Sequence, residues 1–468
     1  MKKQTLLIAI ALIFSVVTKA QLGGILYSSS RVPQMNTQNP AFYPSNNKFY
    51  IALPSVSWNF VSPISYNDLL QYDSEKDMTR INLNGLVNNH GDGARTHLDL
   101  DAFALGGGFK KGNWFMTFSS QLKTTLDLGL SNGLLKFVSE GNLENTGDNV
   151  LHLLDGDLLS AQVYTEYAIG GGYTFFDKLT VAAKAKLIEG YFDLRTNESY
   201  VDLYTAEDLS TIHADVFYKI VTASALDDDK EMTMFPKNFG VVFDFGAKYN
   251  WNGFEFSASV LDVGKGIHWT DNVKERVPSD GATSFDFTGA SFSGVMGNGE
   301  FNLDTLSSGY QESIDRLTNY ETLDGEDYWT KLPTKMNFGI MYSPVYLLKV
   351  GLLYHGEVDH NTASYNELGE IVRTTKLRSS ASLMACLNVK DWLEVMLCNS
   401  VVSNSRDVDW FNPGVAVNLS LFKTFQIYFA IDYISDIRLV EAKQVKMGLG
   451  MNLLFGNQTK KKVETEKK

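Results

Sequence analysis

Residues 48–455 consist largely of runs in which apolar and polar side chains alternate with a period of two, and the connections between the runs are alternately short and long. A period of two is that of a strand with one apolar face. Trp114, Met116, Phe118 and Leu122 alternate with Phe115, Thr117, Ser119, Gln121 and Lys123. Phe239, Val241, Phe243, Phe245 and Ala247 alternate with Gly240, Asp244, Gly246 and Lys248, and Val445, Met447, Leu449 and Met451 with Lys446, Gly448, Gly450 and Asn452. Tight turns read at Lys110–Asn113, Phe176–Lys178, Asn250–Gly253, Ser343–Tyr346, Val389–Asp391 and Phe422–Thr424, several with the residues that hairpins favour. Long polar connections separate them, near 61–95, 128–160, 194–236, 265–331, 358–372, 404–412 and 435–439. Six turns join twelve strands, and one strand at each end (48–60 and 440–455) makes fourteen.

An even strand number with tight turns at one end and long loops at the other is the layout of an outer-membrane barrel. The expected fold is therefore an all-β, transmembrane antiparallel β-barrel of about 14 strands, within a range of 12–16, over residues 48–456. A soluble β-sandwich distributes its loops over both ends, and a connection as long as 265–331 is foreign to it. Residues 199–206 and 211–220 read as two further short strands that either extend the wall or raise the count to sixteen. The Leu-rich stretch from Asn132 to Leu159 reads as short helices in a loop.

Composition narrows the partners. The net charge of −13 repels a polyanion, so nucleic acid is not expected. A helical span needs about 20 apolar residues. The long apolar run Leu6–Val17 is shorter, follows Met1-Lys2-Lys3, and precedes Thr18-Lys19-Ala20. It reads as a signal peptide, residues 1–20, cleaved before Gln21. The expected location is the bacterial outer membrane, with lipid as a partner. The Lys- and Glu-rich residues 457–468 read as a disordered periplasmic tail. Cys386 and Cys398 fall on consecutive strands, and matching the apolar faces pairs Cys386 with Glu394 and Cys398 with Ser382. That register leaves the thiols roughly 13 Å apart, beyond disulfide reach.

No catalytic, cofactor or metal constellation emerges, so an enzyme is not expected. The seven His are scattered. His355, Glu357 and Asp359 share a parity, but a polar lumen face is preferred to a cation site. Asp155-Gly156-Asp157, Asp227-Asp228-Asp229 and Asp324-Gly325-Glu326-Asp327 lack the spacing of a calcium loop and read as solvated. Gly106–Gly108 and Gly170–Gly172 lack the Lys-Ser/Thr that phosphate cradles need, and fit wall curvature or the close approach of a plug. With Phe239, Phe243, Val181 and Tyr167 facing lipid, Tyr164, Glu166, Lys184, Lys186, Asp244, Lys248, Glu255, Lys335, Asn337, Glu394, Asp432 and Lys446 face inward. Both signs are present, which suits a salt-bridged, plugged lumen rather than an ion pore.

A signal peptide, a polar N-terminal segment carrying Asn39-Pro40-Ala41, and fourteen strands ending in an aromatic residue together resemble the long-chain fatty-acid transporter superfamily of outer-membrane barrels. The chain looks most like its uncharacterised and type IX secretion accessory relatives. Val260-Leu261-Asp262-Val263-Gly264 followed by Ile267-His268-Trp269 is similar to a strand end and loop of the uncharacterised members. The resemblance implies that Gln21–Asn47 forms a hatch inside the barrel, with Asn39, Pro40 and Ala41 closing it. It implies two functions. One is an accessory scaffold that binds exported or surface proteins through its long loops. The other is a transporter for hydrophobic small molecules such as long-chain fatty acids. The acidic, aromatic-bearing loops favour the scaffold.

Overall fold

A computed structural model describes residues 24–44, 47–62, 94–131, 150–155, 158–208, 211–225, 237–279, 283–287, 319–365, 371–390, 392–403, 408–422, 424–432 and 444–456, with shorter pieces of the connections. Fourteen strands form the wall: β1 (Phe49–Val61), β2 (Ala94–Lys111), β3 (Trp114–Leu130), β4 (Leu159–Phe175), β5 (Leu179–Thr205), β6 (Phe239–Trp251), β7 (Phe254–Gly264), β8 (Thr334–Val345), β9 (Leu348–Tyr365), β10 (Ile371–Lys390), β11 (Leu393–Ser403), β12 (Val408–Leu421), β13 (Phe425–Asp432) and β14 (Gln444–Phe455). Each pairs antiparallel with its neighbours, and β14 closes on β1 from Phe49 opposite Phe455 to Val61 opposite Gln444. Closure leaves no wall strand with an open edge, which is the condition for crossing hydrocarbon with strands.

Alternation sets the two faces. Met116, Phe118, Phe243, Phe338, Leu352, Leu383 and Leu449 are exposed on the outside, whereas Asp244, Asn337, Glu394 and Asn452 are buried on the inside. A soluble protein would hide the first group and wet the second, so the outer face is a lipid face. At the tight-turn end, Trp114, Phe176, Trp251, Tyr346, Trp392 and Phe422 are exposed and form an interfacial girdle. The chain is thus a membrane-spanning barrel of the outer-membrane type.

Outside the membrane the wall continues on one side. β5 runs 27 residues without interruption, and Ile212–Ser224 returns along it from Phe192 opposite Ser224 to Thr205 opposite Ile212. The two short strands expected at 199–206 and 211–220 therefore raise the wall and leave the barrel at fourteen. Leu151–Asp155, expected within a helical stretch, is instead a strand against Tyr200–Leu203, because the tall β5 offers it an edge. The expected cysteine register is also corrected. Cys386 lies opposite Met396 and Cys398 opposite Met384, two residues from the expected pairing. The pairing runs on through a bulge between Asn388 and Lys390 to Lys390 opposite Leu393, past the turn expected at Val389–Asp391. Both thiols are free, face inward and donate to carboxylates, Cys386 to Glu394 (3.4 Å) and Cys398 to Asp432 (3.3 Å). The expected signal peptide, Asp227–Asp229, Asp359's side chain and the tail after Gly456 lie outside the described residues.

Candidate functional site: the filled bore

The bore is filled by the chain's own N-terminal segment. Residues Gly24–Tyr27 make one helical turn (α1), and Pro33–Thr37 make a 3-10 turn with Pro in its first positions, where a missing N–H costs nothing. Ile25, Leu26, Tyr27, Val32, Met35 and Phe42 are buried against Met341, Leu353, Met384, Met396 and Tyr428 of the wall. These inward-facing apolar side chains of the wall form the seat of the plug.

Polar bonds complete the seat. Ser29 Oγ donates to Glu394 Oε2 (2.8 Å), and Asn418 Nδ2 donates to the same oxygen (3.0 Å). The Ile25 N–H donates to Asp432 Oδ2 (3.1 Å). Gln34 and Asn452 exchange two amide bonds of 2.8 and 3.0 Å. Lys184 Nζ donates to Asn36 O (2.7 Å), while Ser259 Oγ and Asn337 Nδ2 both donate to Gln38 O. Glu394 and Asp432 are almost fully buried, and each is satisfied by the plug, as buried carboxylates require.

Asn39-Pro40-Ala41 sits against β6 and β7. Asn39 Nδ2 donates to the carbonyls of Ala247 (3.3 Å) and Ala258 (3.1 Å), and its Oδ1 accepts the Ala41 N–H (2.9 Å). The wall admits this approach because Gly246 has no side chain: a Cβ there would overlap Asn39 Oδ1 and lie 2.8 Å from Pro40 Cδ. Gly339 does the same for Tyr27, whose ring would stand 2.6 Å from an added Cβ. Of the expected glycine runs, Gly108 faces the plug, with Tyr43 2.9 Å from its would-be Cβ.

Beyond the plug lies a layer of opposite charges around a cavity of about 70 Å³. Lys186 Nζ is 3.0 Å from Asp244, 2.6 Å from Asp262 and 3.8 Å from Glu166, and Lys123 is 2.9 Å from Glu166. Lys335, His355 and Lys446 face the same cavity, and His355 Nδ1 is 2.7 Å from Asn337 Oδ1. Asp262 enters the layer through a bulge. It has φ +60°, a conformation that Asp tolerates better than most residues, and its N–H donates to Asp244 Oδ1 (2.9 Å). Above this layer the inner face turns apolar: Tyr164, Ile188, Val242, Ile267, Trp269 and Leu332 form one buried cluster. Trp269 rests on Gly190 and donates its indole N–H to Thr330 Oγ1 (2.9 Å).

The inward residues named from the sequence divide among these parts. Glu394, Asp432, Lys184 and Asn337 hold the plug, and Lys248 stacks on its Phe42 ring at 5.7 Å. Glu166, Lys186, Asp244, Lys335 and Lys446 belong to the charged layer, and Tyr164 to the apolar one. Glu255 pairs with Lys349 (2.9 Å). Asp262, Lys123, Gln34, Asn452 and Trp269 were not singled out as site residues by alternation. Lys123 and Asn452 carry the inward parity, whereas the bulge hides Asp262. Among the described residues no group of three or more His, Cys, Asp or Glu converges as a metal site.

A family model described as a family of unknown function (DUF5723) matches residues 40–432. No curated protein matches the sequence. Solved structures similar to the chain include a Pseudomonas aeruginosa FadL homologue, at 8% identity and TM-score 0.45 over 94% of this chain and 99% of that one. Others are the Ralstonia pickettii toluene transporter TbuX (11%, 0.44, 91% and 94%) and the Pseudomonas putida toluene transporter TodX (12%, 0.39, 93% and 93%).

Proposed function

The chain belongs to this family of unknown function, DUF5723, and we propose that it is a non-enzymatic passage through the outer membrane for a small, predominantly apolar molecule, opened by movement of its N-terminal hatch. One observation carries the reading: the plug is a piece separate from the wall. The barrel's ladder closes from β14 to β1 without it, and residues 24–44 contribute no strand to that ladder. Bonds that each involve a side chain, together with the apolar cluster of Ile25 to Phe42 against Met341, Leu353, Met384, Met396 and Tyr428, hold it, so leaving its seat costs that burial but breaks no ladder bond of the barrel. The apolar layer around Ile188, Val242 and Trp269 then offers a nonpolar solute a lining that water does not compete for.

A second reading, an accessory barrel for exported or surface proteins, draws on the raised wall of β5 and Ile212–Ser224, to which Lys274–Pro278 and Thr283–Phe287 add further strands. Purification in mild detergent followed by mass spectrometry separates the two. A stoichiometric apolar small molecule supports passage. A co-purifying exported protein with no such molecule supports the accessory reading and overturns the first.

A further inference from the structure

The lipid-facing wall carries a depression of about 630 Å³, within the ~300–1,000 Å³ of ligand-holding clefts. Its floor is Ala247 of β6 and Ala258 of β7, which lie opposite each other in the ladder. Its rim is Tyr249, Phe256, Phe338 and Tyr354. Large side chains flank two small ones, so the wall is hollow there. This face lies within the exposed apolar belt, with Phe338 51% and Leu352 59% exposed, so hydrocarbon rather than water covers it.

We propose that the depression seats one acyl chain of a phospholipid from the periplasmic leaflet. The leaflet follows from the lower end of the depression, which is Leu179 opposite Tyr249. Leu179 directly follows the tight turn at Phe176–Lys178, on the girdled rim, and the short turns of outer-membrane barrels face the periplasm. Lys178 is exposed at that rim, one residue from the entrance, where it matches the phosphate of a headgroup whose chain runs up the wall. The floor is also the hatch's anchor. Asn39 holds the carbonyls of Ala247 and Ala258 from inside, so the lipid chain and the hatch lie on opposite sides of the same two residues.

The test is phospholipid analysis of the full-length barrel after extraction and extensive washing in mild detergent. The wild type is expected to retain phospholipid stoichiometrically. Ala258→Phe fills the seat from the lipid side and is expected to cut retention roughly tenfold, about 1.4 kcal/mol. Lys178→Glu is expected to weaken retention without filling the seat. Heat-modifiable mobility on gels verifies that each variant is a closed barrel, and Ala247→Leu replaces Ala258→Phe should the latter not fold. Equal retention by wild type and folded filled variants overturns the proposal, as does a seat occupied by lipopolysaccharide, a free apolar solute or a protein.

Discussion

Replacing Gly246 by valine should unseat the hatch while leaving the wall intact. The backbone of Gly246 does not have a positive φ, so a strand accommodates valine there. What it cannot accommodate is the hatch, because the new Cβ overlaps Asn39 Oδ1 and stands 2.8 Å from Pro40 Cδ and 3.0 Å from the Ala41 nitrogen. Displacing Asn39 breaks its bonds to Ala247 O and Ala258 O and the Ala41 bond to its own Oδ1. The two bonds to the wall count toward seating, and at about 1 kcal/mol each seating loses about 2 kcal/mol. That is about one and a half decades in the ratio of seated to unseated hatch. The native cysteines report the outcome, since Cys386 is 1% and Cys398 8% exposed in a cluster shared with Ile25, Leu26 and Phe42 of the hatch. Labelling by a membrane-impermeant maleimide should accelerate by up to roughly thirtyfold in Gly246→Val. Unchanged labelling in a folded, heat-modifiable variant would refute the reasoning, because the hatch would then tolerate the loss of its anchor.

Further substitutions probe the layers above. Lys186→Met leaves Asp244 and Asp262 facing each other with no cation between them, and should lower stability by about 3–5 kcal/mol, read from the midpoint of heat-modified gel mobility. Adding Asp244→Asn and Asp262→Asn should recover most of the loss. Trp269→Ala removes a fully buried ring and its bond to Thr330, at about 3–5 kcal/mol. Hydrogen exchange should then rise in Ile267–Trp269 and Tyr328–Thr330, which pair with each other, ahead of the barrel strands.

The wall was legible because its rule is local. A period of two and alternating connection lengths locate all fourteen strands, since every strand meets the same lipid on one side. Legibility failed where one strand depends on a distant one. Leu151–Asp155 has a helix-compatible apolar pattern, and only the height of β5, set some fifty residues later, makes it a strand. The cysteine register differs because the ladder runs on to Lys390 opposite Leu393, past the turn that the sequence marks at Val389–Asp391. Asp262 is hidden by a bulge in β7, its φ of +60° turning an expected strand position into the partner of Lys186. In the site, Asn39-Pro40-Ala41 is readable as a motif, but the bonds from Ser29 to Glu394 and from Gln34 to Asn452 join residues 365 and 418 apart in sequence. No local pattern encodes such pairs. The inward parity of Glu394 and Asn452 is the one signal that raises them as candidates.

The central claim is that the hatch must move for an apolar molecule to pass. Gln34 and Asn452, joined by their amides, mark where hatch and wall can be tied. In a background carrying Cys386→Ala and Cys398→Ala, Gln34→Cys and Asn452→Cys can be bridged by a bis-methanethiosulfonate cross-linker and released by reductant. The measurement is entry of the apolar fluorophore N-phenylnaphthylamine into intact cells, whose lipopolysaccharide leaflet is otherwise the barrier. The account predicts that bridging reduces entry to the level of cells lacking the barrel and that reductant restores it. Equal entry through bridged and released barrels, with cross-linking verified by mass spectrometry, would contradict it.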